Sequence, residues 1–157
     1  MTSFVKFLFL ASLAVWFGSL VFFSFVGAPA IFRALPREQA GDLAGTIFPV
    51  YYLLGMICGL IALACLLILS MMRGGTWSTV RIVLLVGMIV ITLYAGFVIS
   101  PKAREVKVQL RAATEEGPRQ NLQQQFDALH KESVALNSIV LLAGATVVFL
   151  TAVQLRT

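Results

Sequence analysis

The sequence has few charged residues, and this scarcity is the first constraint on what the protein is. Asp, Glu, Lys and Arg make up 12% of its 157 residues, whereas hydrophobic residues make up 59%. Soluble domains carry about 25% charged residues, so this composition excludes an ordinary soluble domain. Water is therefore not the main solvent of the folded chain.

Residue types that build metal centres are scarce as well. The chain has one histidine, His130, and two cysteines, Cys58 and Cys65. A single histidine supplies at most one imidazole ligand to a metal or a haem. The cysteines lie in one apolar run at a separation of about 10 Å along a helix, too far for a disulfide. We interpret them as two small hydrophobic residues of the core. The alternative is that they bind Cu(I) together with nearby methionines.

The sequence motifs of common enzymes are also missing. We find no nucleophile elbow, phosphate-binding loop, Rossmann glycine pattern or HExxH motif. No carboxylate interrupts the apolar runs, which argues against a carrier that moves protons through an acidic residue at the membrane midplane. We therefore expect a protein without enzymatic activity and without a resident cofactor.

Four long apolar runs dominate the chain, at residues 7–32, 46–72, 82–99 and 133–155, and none contains Asp, Glu, Lys or Arg. About 20 residues suffice for a helix to cross the hydrocarbon core of a bilayer. A lone segment in lipid can satisfy its backbone groups only as a helix. We predict an all-α integral membrane protein, a four-transmembrane-helix bundle that forms a single domain over residues 1–157.

The first run also imitates a secretory signal. Lys6 precedes the apolar stretch, and Ala28-Pro29-Ala30 resembles a small-residue cleavage site. The apolar core of such a signal is about 7 to 15 residues long, and this run is clearly longer. We expect the run to remain in the protein as its first transmembrane helix.

The net charge of +5 fits membrane topology better than nucleic-acid binding, because no aromatic-and-basic recognition module accompanies it. Lys and Arg accumulate in cytoplasmic loops. Connections one and three hold eight basic residues: Arg33, Arg37, Lys102, Arg104, Lys107, Arg111, Arg119 and Lys131. The opposite side holds four: Lys6, Arg73, Arg81 and Arg156. We expect a multi-pass protein of the inner (plasma) membrane with both termini outside the cytoplasm.

The connections carry helical signals of their own. Pro36 suits the first position of a short interfacial helix after the first run, and Pro49 predicts a bend into the second run. Ser100 can cap a helix that begins at Pro101 and ends before Glu115. Helical spacing then continues into the fourth run, which predicts a helical extension preceding the fourth transmembrane helix.

Other local signals concern kinks, turns and helix packing. Pro29 predicts a kink near the end of the first helix. Gly74 and Gly75 predict a short turn between the second and third helices, with Trp77 as an interfacial anchor. Small residues favour close helix packing, either within the bundle or in a homo-oligomer. They occur at Ala14, Gly18, Gly55, Gly59 and Gly144.

Polar side chains collect on one side of the predicted membrane. Connections one and three each follow an odd-numbered crossing, so both lie on the same side. Asp127, His130, Ser133 and Asn137 recur at helical spacing and form a polar stripe on the fourth helix. Polar residues in such helices face other helices or a water-filled cavity. His130 is then a structural residue of the interface, a ligand of haem or metal, or a group that handles protons or solute.

We combine these features into a hypothesis of a polar mouth between connections one and three. Arg33 and Arg37 serve there as membrane anchors or as an anion clamp. The candidate binding residues are Arg33, Arg37, Tyr52, Lys102, Arg104, His130, Ser133 and Asn137. The expected function is binding, and transport, of a small solute or metal complex. The alternatives are a redox protein that binds haem or porphyrin through His130, and a structural membrane oligomer.

Three segments carry a family resemblance: AVWFGSLVFFSFVGAPAIFRALPREQAGDLAGTIFPVYY at 14–52, SPKAREVKVQLRA at 100–112 and FDALHKESVALN at 126–137. In order and spacing they resemble a bacterial membrane family of unknown function that includes the eukaryotic transmembrane protein associated with cisplatin resistance. More distantly, Trp16-x-Gly18 is similar to copper-resistance membrane proteins and to the four-helix, haem-binding protoporphyrinogen oxidase. Those relatives have a histidine early in the first helix, where this chain has none.

Overall fold

A computed structural model of the protein describes residues 2–73 and 76–154, and all elements in these ranges are helical. Four helices are long and apolar enough to cross a membrane. The predicted all-α membrane class is thereby confirmed. The predictions for Gly74, Gly75, Leu155, Arg156 and the side chains of Arg73 and Trp77 lie outside the described residues.

The first helix, α1, spans Thr2–Ala34 and contains one wide turn. Phe23–Gly27 form a π-helical turn, in which the Ala28 amide donates to the carbonyl of Phe23. Pro29 follows two residues later, where its ring would clash with a carbonyl of a regular α-turn. The wide turn makes room for the proline, so the predicted distortion near Pro29 takes the form of a π turn.

The second helix, α2, spans Arg37–Arg73 without a break. The structure thus differs from the predicted short interfacial helix, because the helix continues through Pro49. Proline removes one backbone hydrogen bond, but a membrane helix tolerates it where another group satisfies the freed carbonyl. The amphipathic residues 37–45 are the first turns of α2 rather than a separate element.

The third helix, α3, combines Thr76–Tyr94, a π-helical turn at Ala95–Ile99 and Ser100–Ala112. The prediction of a new helix capped by Ser100 is wrong, since Ser100 itself has helical backbone angles and lies inside α3. As in α1, the proline is the second residue after the π turn. Both helices thus accommodate a proline by a π turn that precedes it.

The fourth helix, α4, spans Glu116–Gln154. It begins after a short break at residues 113–115, close to the predicted end of the preceding helix before Glu115. Its first turns pack against the end of α3, outside the fourth apolar run. The predicted helical extension is therefore present.

The helices form an antiparallel bundle in which α1 contacts α2 and α4, and α3 contacts α2 and α4. Trp16 of α1 is 2% exposed and lies against two glycines of α2. A methyl group at Gly55 or Gly59 would come within 2.8 or 2.7 Å of the Trp16 ring. These glycines thus serve packing within the bundle, whereas a methyl group at Gly18 would meet nothing within 4 Å.

Both cysteines are reduced and buried in the core, as the sequence indicated. Arg81 is also buried in the core, which the sequence did not predict. From its position next to an apolar run it was expected to be only a basic residue of a connection. It is 4% exposed and lies between α3 and α4 at the end of the bundle opposite to connections one and three. Its guanidinium donates to Ser78, Thr151 and Gln154.

Candidate functional site

Oppositely charged side chains join α2 to α3 where both helices extend past their apolar runs. We call Glu38 and Asp42 of α2 with Lys107 and Arg111 of α3 the charged zipper. Lys107 Nζ lies 2.8 Å from Asp42, and Arg111 lies 2.6 Å from Asp42 and 3.1 Å from Glu38. The acids are one helical turn apart, as are the bases, so two antiparallel helices can match them. The zipper brings together the two walls of the predicted mouth.

The electrostatics of the charged zipper centre on Asp42. Hydrogen bonds from Lys107, and then from Arg111, lower the pKa of this carboxyl below its ordinary value. Asp42 in turn raises the pKa of Arg111. Both groups lie outside the apolar runs, so this end of the bundle is fixed by ion pairs that remain charged at neutral pH.

Arg104 is one turn closer to the membrane than Lys107 and has a different partner. Its guanidinium donates at 2.8 Å to the backbone carbonyl of Gly45. Gly45 precedes Pro49 by four residues, so this carbonyl is the one that the proline leaves without a helical donor. Arg104 thus replaces a backbone hydrogen bond of α2, and it is not paired with a carboxylate of any described residue.

A groove of about 480 Å³ lies between α2 and α3 on the membrane side of the charged zipper. Ligand sites of about 300 to 1,000 Å³, mostly apolar with a few polar groups, are typical of proteins that bind small molecules. The groove has a volume in this range, and its lining is mostly apolar with a few polar groups. Its lining residues are Pro49, Tyr52, Leu53, Met56, Thr92, Leu93, Gly96, Phe97, Ser100, Pro101 and Arg104.

Tyr52 and Thr92 separate this groove from a smaller cavity inside the bundle, because both residues line both spaces. The inner cavity measures about 20 Å³, which is room for about one water molecule. Gly96 lets the Tyr52 side chain lie close to α3, since a methyl group there would come within 3.2 Å of Tyr52. Tyr52 therefore lies against α3 between the two spaces.

A chain of hydrogen bonds crosses the bundle beside the inner cavity. The Tyr51 hydroxyl donates at 2.8 Å to Asn137 Oδ1, and Asn137 Nδ2 donates at 2.9 Å to Ser24 Oγ. Tyr52 makes a longer contact of 3.5 Å with Ser133. Asn137 and Ser133 thus face into the bundle, and together they link α1, α2 and α4.

The structure brings only some of the candidate binding residues together. Tyr52, Ser133 and Asn137 surround the inner cavity, and Arg104 lies at the end of the groove. Arg37 is exposed and forms an ion pair of 3.6 Å with Asp127, a kind of contact that contributes little to stability.

The other three candidates lie apart. Arg33, Lys102 and His130 are exposed, and within the described ranges none makes a hydrogen bond or ion pair. His130 therefore lies beside, and not within, the part of the polar stripe that enters the bundle. Over the described residues, no group of three or more His, Cys, Asp or Glu is arranged to hold a metal ion.

Sequence reasoning missed Thr92 and Gly96 as parts of the site. Thr92 is a polar residue in an apolar run, and its hydroxyl donates to the Met88 carbonyl of its own helix. Gly96 lies in the π turn of α3. The available signal was a threonine four residues before a glycine in an otherwise bulky apolar run.

Comparison with known proteins gives a family but no activity. A family model described as a domain of unknown function, DUF4149, matches residues 11–112. An uncharacterized protein of Aquifex aeolicus (strain VF5) is 48% identical over 48 residues, which are 31% of this chain and 36% of that protein. The matched segment thus spans about a third of the length of this relative, and no solved structure matches the chain. Since the family model covers well over half of the sequence, the chain belongs to the DUF4149 family.

Proposed function

We propose that this protein of the inner membrane binds a small solute or metal complex in the groove between α2 and α3, and passes it inward past Tyr52. The observation that carries the proposal is the groove itself, about 480 Å³ with an arginine at one end. Its volume and its mixture of apolar walls with a few polar groups fit a small-molecule site. Eight of the twelve basic residues lie in connections one and three, which supports a cytoplasmic position for this end.

The position of Tyr52 supports passage as well as binding. Its ring lies between the groove and the inner cavity, and its only hydrogen bond to a described residue is the 3.5 Å contact with Ser133. A contact of this length is weak, so the ring can leave it at low cost. The haem alternative depends on His130, and no observation favours it over the groove, because His130 is exposed on α4.

The test is photolabelling of the reconstituted protein with a neutral apolar diazirine, trifluoromethylphenyl diazirine. We expect labelling of Met56 and Leu93, which line the groove and are half-buried, to saturate as the probe concentration rises. Leu142 on α4 is 69% exposed and should label without saturation, as a side chain that faces bulk lipid does. Equal, unsaturable labelling at the groove and at Leu142 would contradict the proposal.

A matched pair of variants makes this test specific. Leu53→Trp fills the groove, and we expect it to abolish saturable labelling of Leu93. Leu54→Trp makes the same change at the next residue, which does not line the groove. If Leu93 is labelled alike in both variants, the binding site does not lie between α2 and α3.

A further inference from the structure

The groove between α2 and α3 is open toward the lipid. Leu53 and Phe97, on its two walls, are 50% and 70% exposed. Exposed apolar side chains of this kind on membrane-spanning helices contact the acyl chains of the bilayer. An amphiphilic molecule can therefore enter the groove sideways from the membrane, without crossing water.

Arg104, at the charged end of the groove, contacts no carboxylate of a described residue. On the same face of α3, Lys107 and Arg111 contact carboxylates, whereas Arg104 contacts the neutral carbonyl of Gly45. A guanidinium has five N–H donors. Since this carbonyl takes one NH2 group of Arg104, most of its donors and its whole charge are available to a ligand.

The groove also has the length and depth that suit a lipid. From Leu93 to Arg104 the chain advances by about 16 Å along α3, at 1.5 Å per residue. Leu93 lies within the apolar run 82–99, and Arg104 lies about one turn beyond its end. The apolar end thus lies in the hydrocarbon core, and Arg104 lies at the depth of the headgroups.

We infer that the groove holds an acyl chain of an anionic phospholipid, whose phosphate accepts hydrogen bonds from Arg104. This inference rests on the proposed function and narrows the solute to a membrane lipid with a negatively charged headgroup. A guanidinium presents paired donors that match two phosphate oxygens, and such charge-assisted bonds are strong. Arg104 binds the headgroup, and the apolar side chains that line the groove, among them Pro49 and Leu93, contact the acyl chain.

The experiment measures fluorescence quenching of Phe97→Trp by lipids with brominated acyl chains, in vesicles. Brominated phosphatidylglycerol is compared with brominated phosphatidylcholine, and the wild-type signal of Trp16 and Trp77 is subtracted. Both lipids carry a phosphate, but the choline cation cancels its charge in phosphatidylcholine. We expect about fivefold tighter association of phosphatidylglycerol, which corresponds to the attraction of about 1 kcal/mol between one arginine and an anionic lipid surface. Leu142→Trp, at a position that faces bulk lipid, should show equal quenching by both lipids. Equal quenching of Phe97→Trp would overturn the inference.

A second comparison tests the part played by Arg104. In the Phe97→Trp background, Arg104→Gln should abolish the preference for phosphatidylglycerol. Because Arg104 also supports the Gly45 carbonyl, the change is repeated together with Pro49→Ala, which restores a backbone donor to that carbonyl. A preference that persists in this combined variant would overturn the role of Arg104.

Two further outcomes separate the competing explanations. Loss of the preference on addition of inorganic phosphate would show that Arg104 binds free phosphate, and would overturn the lipid assignment. Saturable diazirine labelling of the groove with equal quenching by both lipids would leave the proposed function standing and overturn only the lipid inference. Unsaturable labelling with equal quenching would overturn both.

Discussion

Arg104 of α3 donates a hydrogen bond at 2.8 Å to the carbonyl of Gly45 in α2, the carbonyl that Pro49 leaves without a backbone donor. This contact explains how α2 continues through a proline. It also fixes α3 against α2 at the end of the groove. Helix continuity and site geometry therefore depend on the same contact.

The contact between Arg104 and Gly45 predicts an energetic coupling between Arg104 and Pro49. We expect Arg104→Gln to destabilise the protein, and to do so by about 1 kcal/mol less in the Pro49→Ala background, where alanine supplies the missing N–H. Unfolding in mixed detergent and SDS micelles measures the double-mutant cycle. Additive effects of the two changes would show that Arg104 does not replace the lost hydrogen bond.

Trp16 and Gly59 predict an overpacking effect. A methyl group at Gly59 would lie 2.7 Å from the Trp16 ring and 2.9 Å from Ile89. We expect Gly59→Ala to lower the free energy of unfolding by about 1 to 3 kcal/mol, the usual cost of inserting a methylene into a packed core. Gly18→Ala is the matched control on α1, with open space around the new methyl group, and should be neutral. Equal effects of the two changes would contradict the packing.

The two neighbouring tyrosines allow a comparison of a short and a long hydrogen bond. Tyr51→Phe removes the 2.8 Å bond to Asn137, and we expect it to destabilise the protein by about 0.6 kcal/mol, the average for such bonds in membranes. Tyr52→Phe removes only the 3.5 Å contact with Ser133 and should have a smaller effect. Unfolding of both variants in SDS titrations measures the difference, and the reverse order would contradict the network.

The charged zipper predicts a dependence of stability on pH. Because the folded-state pKa of Asp42 lies below its ordinary value of 3.8, its stabilising effect is full above that value. The effect is lost as the pH falls through the lowered pKa. We expect Asp42→Asn to reduce the thermal midpoint at neutral pH and to flatten its fall on acidification. Glu105→Gln, which removes an acid outside the zipper, should keep the wild-type profile. Matching profiles for the two variants would exclude the role of Asp42.

Much of the fold could be predicted from the sequence, because uninterrupted apolar runs of membrane-crossing length have few other structures open to them. The structure of the connections was harder to predict. Pro49 and Pro101 each break a helix on local rules, but the Arg104 side chain compensates for the first and a π turn accommodates the second. The hydrogen bond from Arg104 depends on helix packing, and the π turn depends on local turn geometry. Neither can be predicted from the spacing of residues along the chain.

The candidate site was predictable only in part, for a similar reason. Helical spacing correctly directed Ser133 and Asn137 into the bundle, where they contact Tyr52 and Tyr51. It did not separate His130 from that stripe, since the outer part of α4 packs on fewer neighbours. It also gave Arg33 and Lys102 the same status as Arg104, because only the tertiary structure shows which of these cations lies at the groove.

The fold and the proposed site both require that the start of α2 and the end of α3 lie on the same side of the membrane. A direct measurement is labelling of single cysteines with an impermeant maleimide in intact cells, after Cys58→Ala and Cys65→Ala. We expect Thr2→Cys to react from outside, and both Arg37→Cys and Lys102→Cys to react only after the membrane is permeabilised. Reaction of Arg37→Cys and Lys102→Cys from opposite compartments would contradict the fold, the groove and the proposed site together.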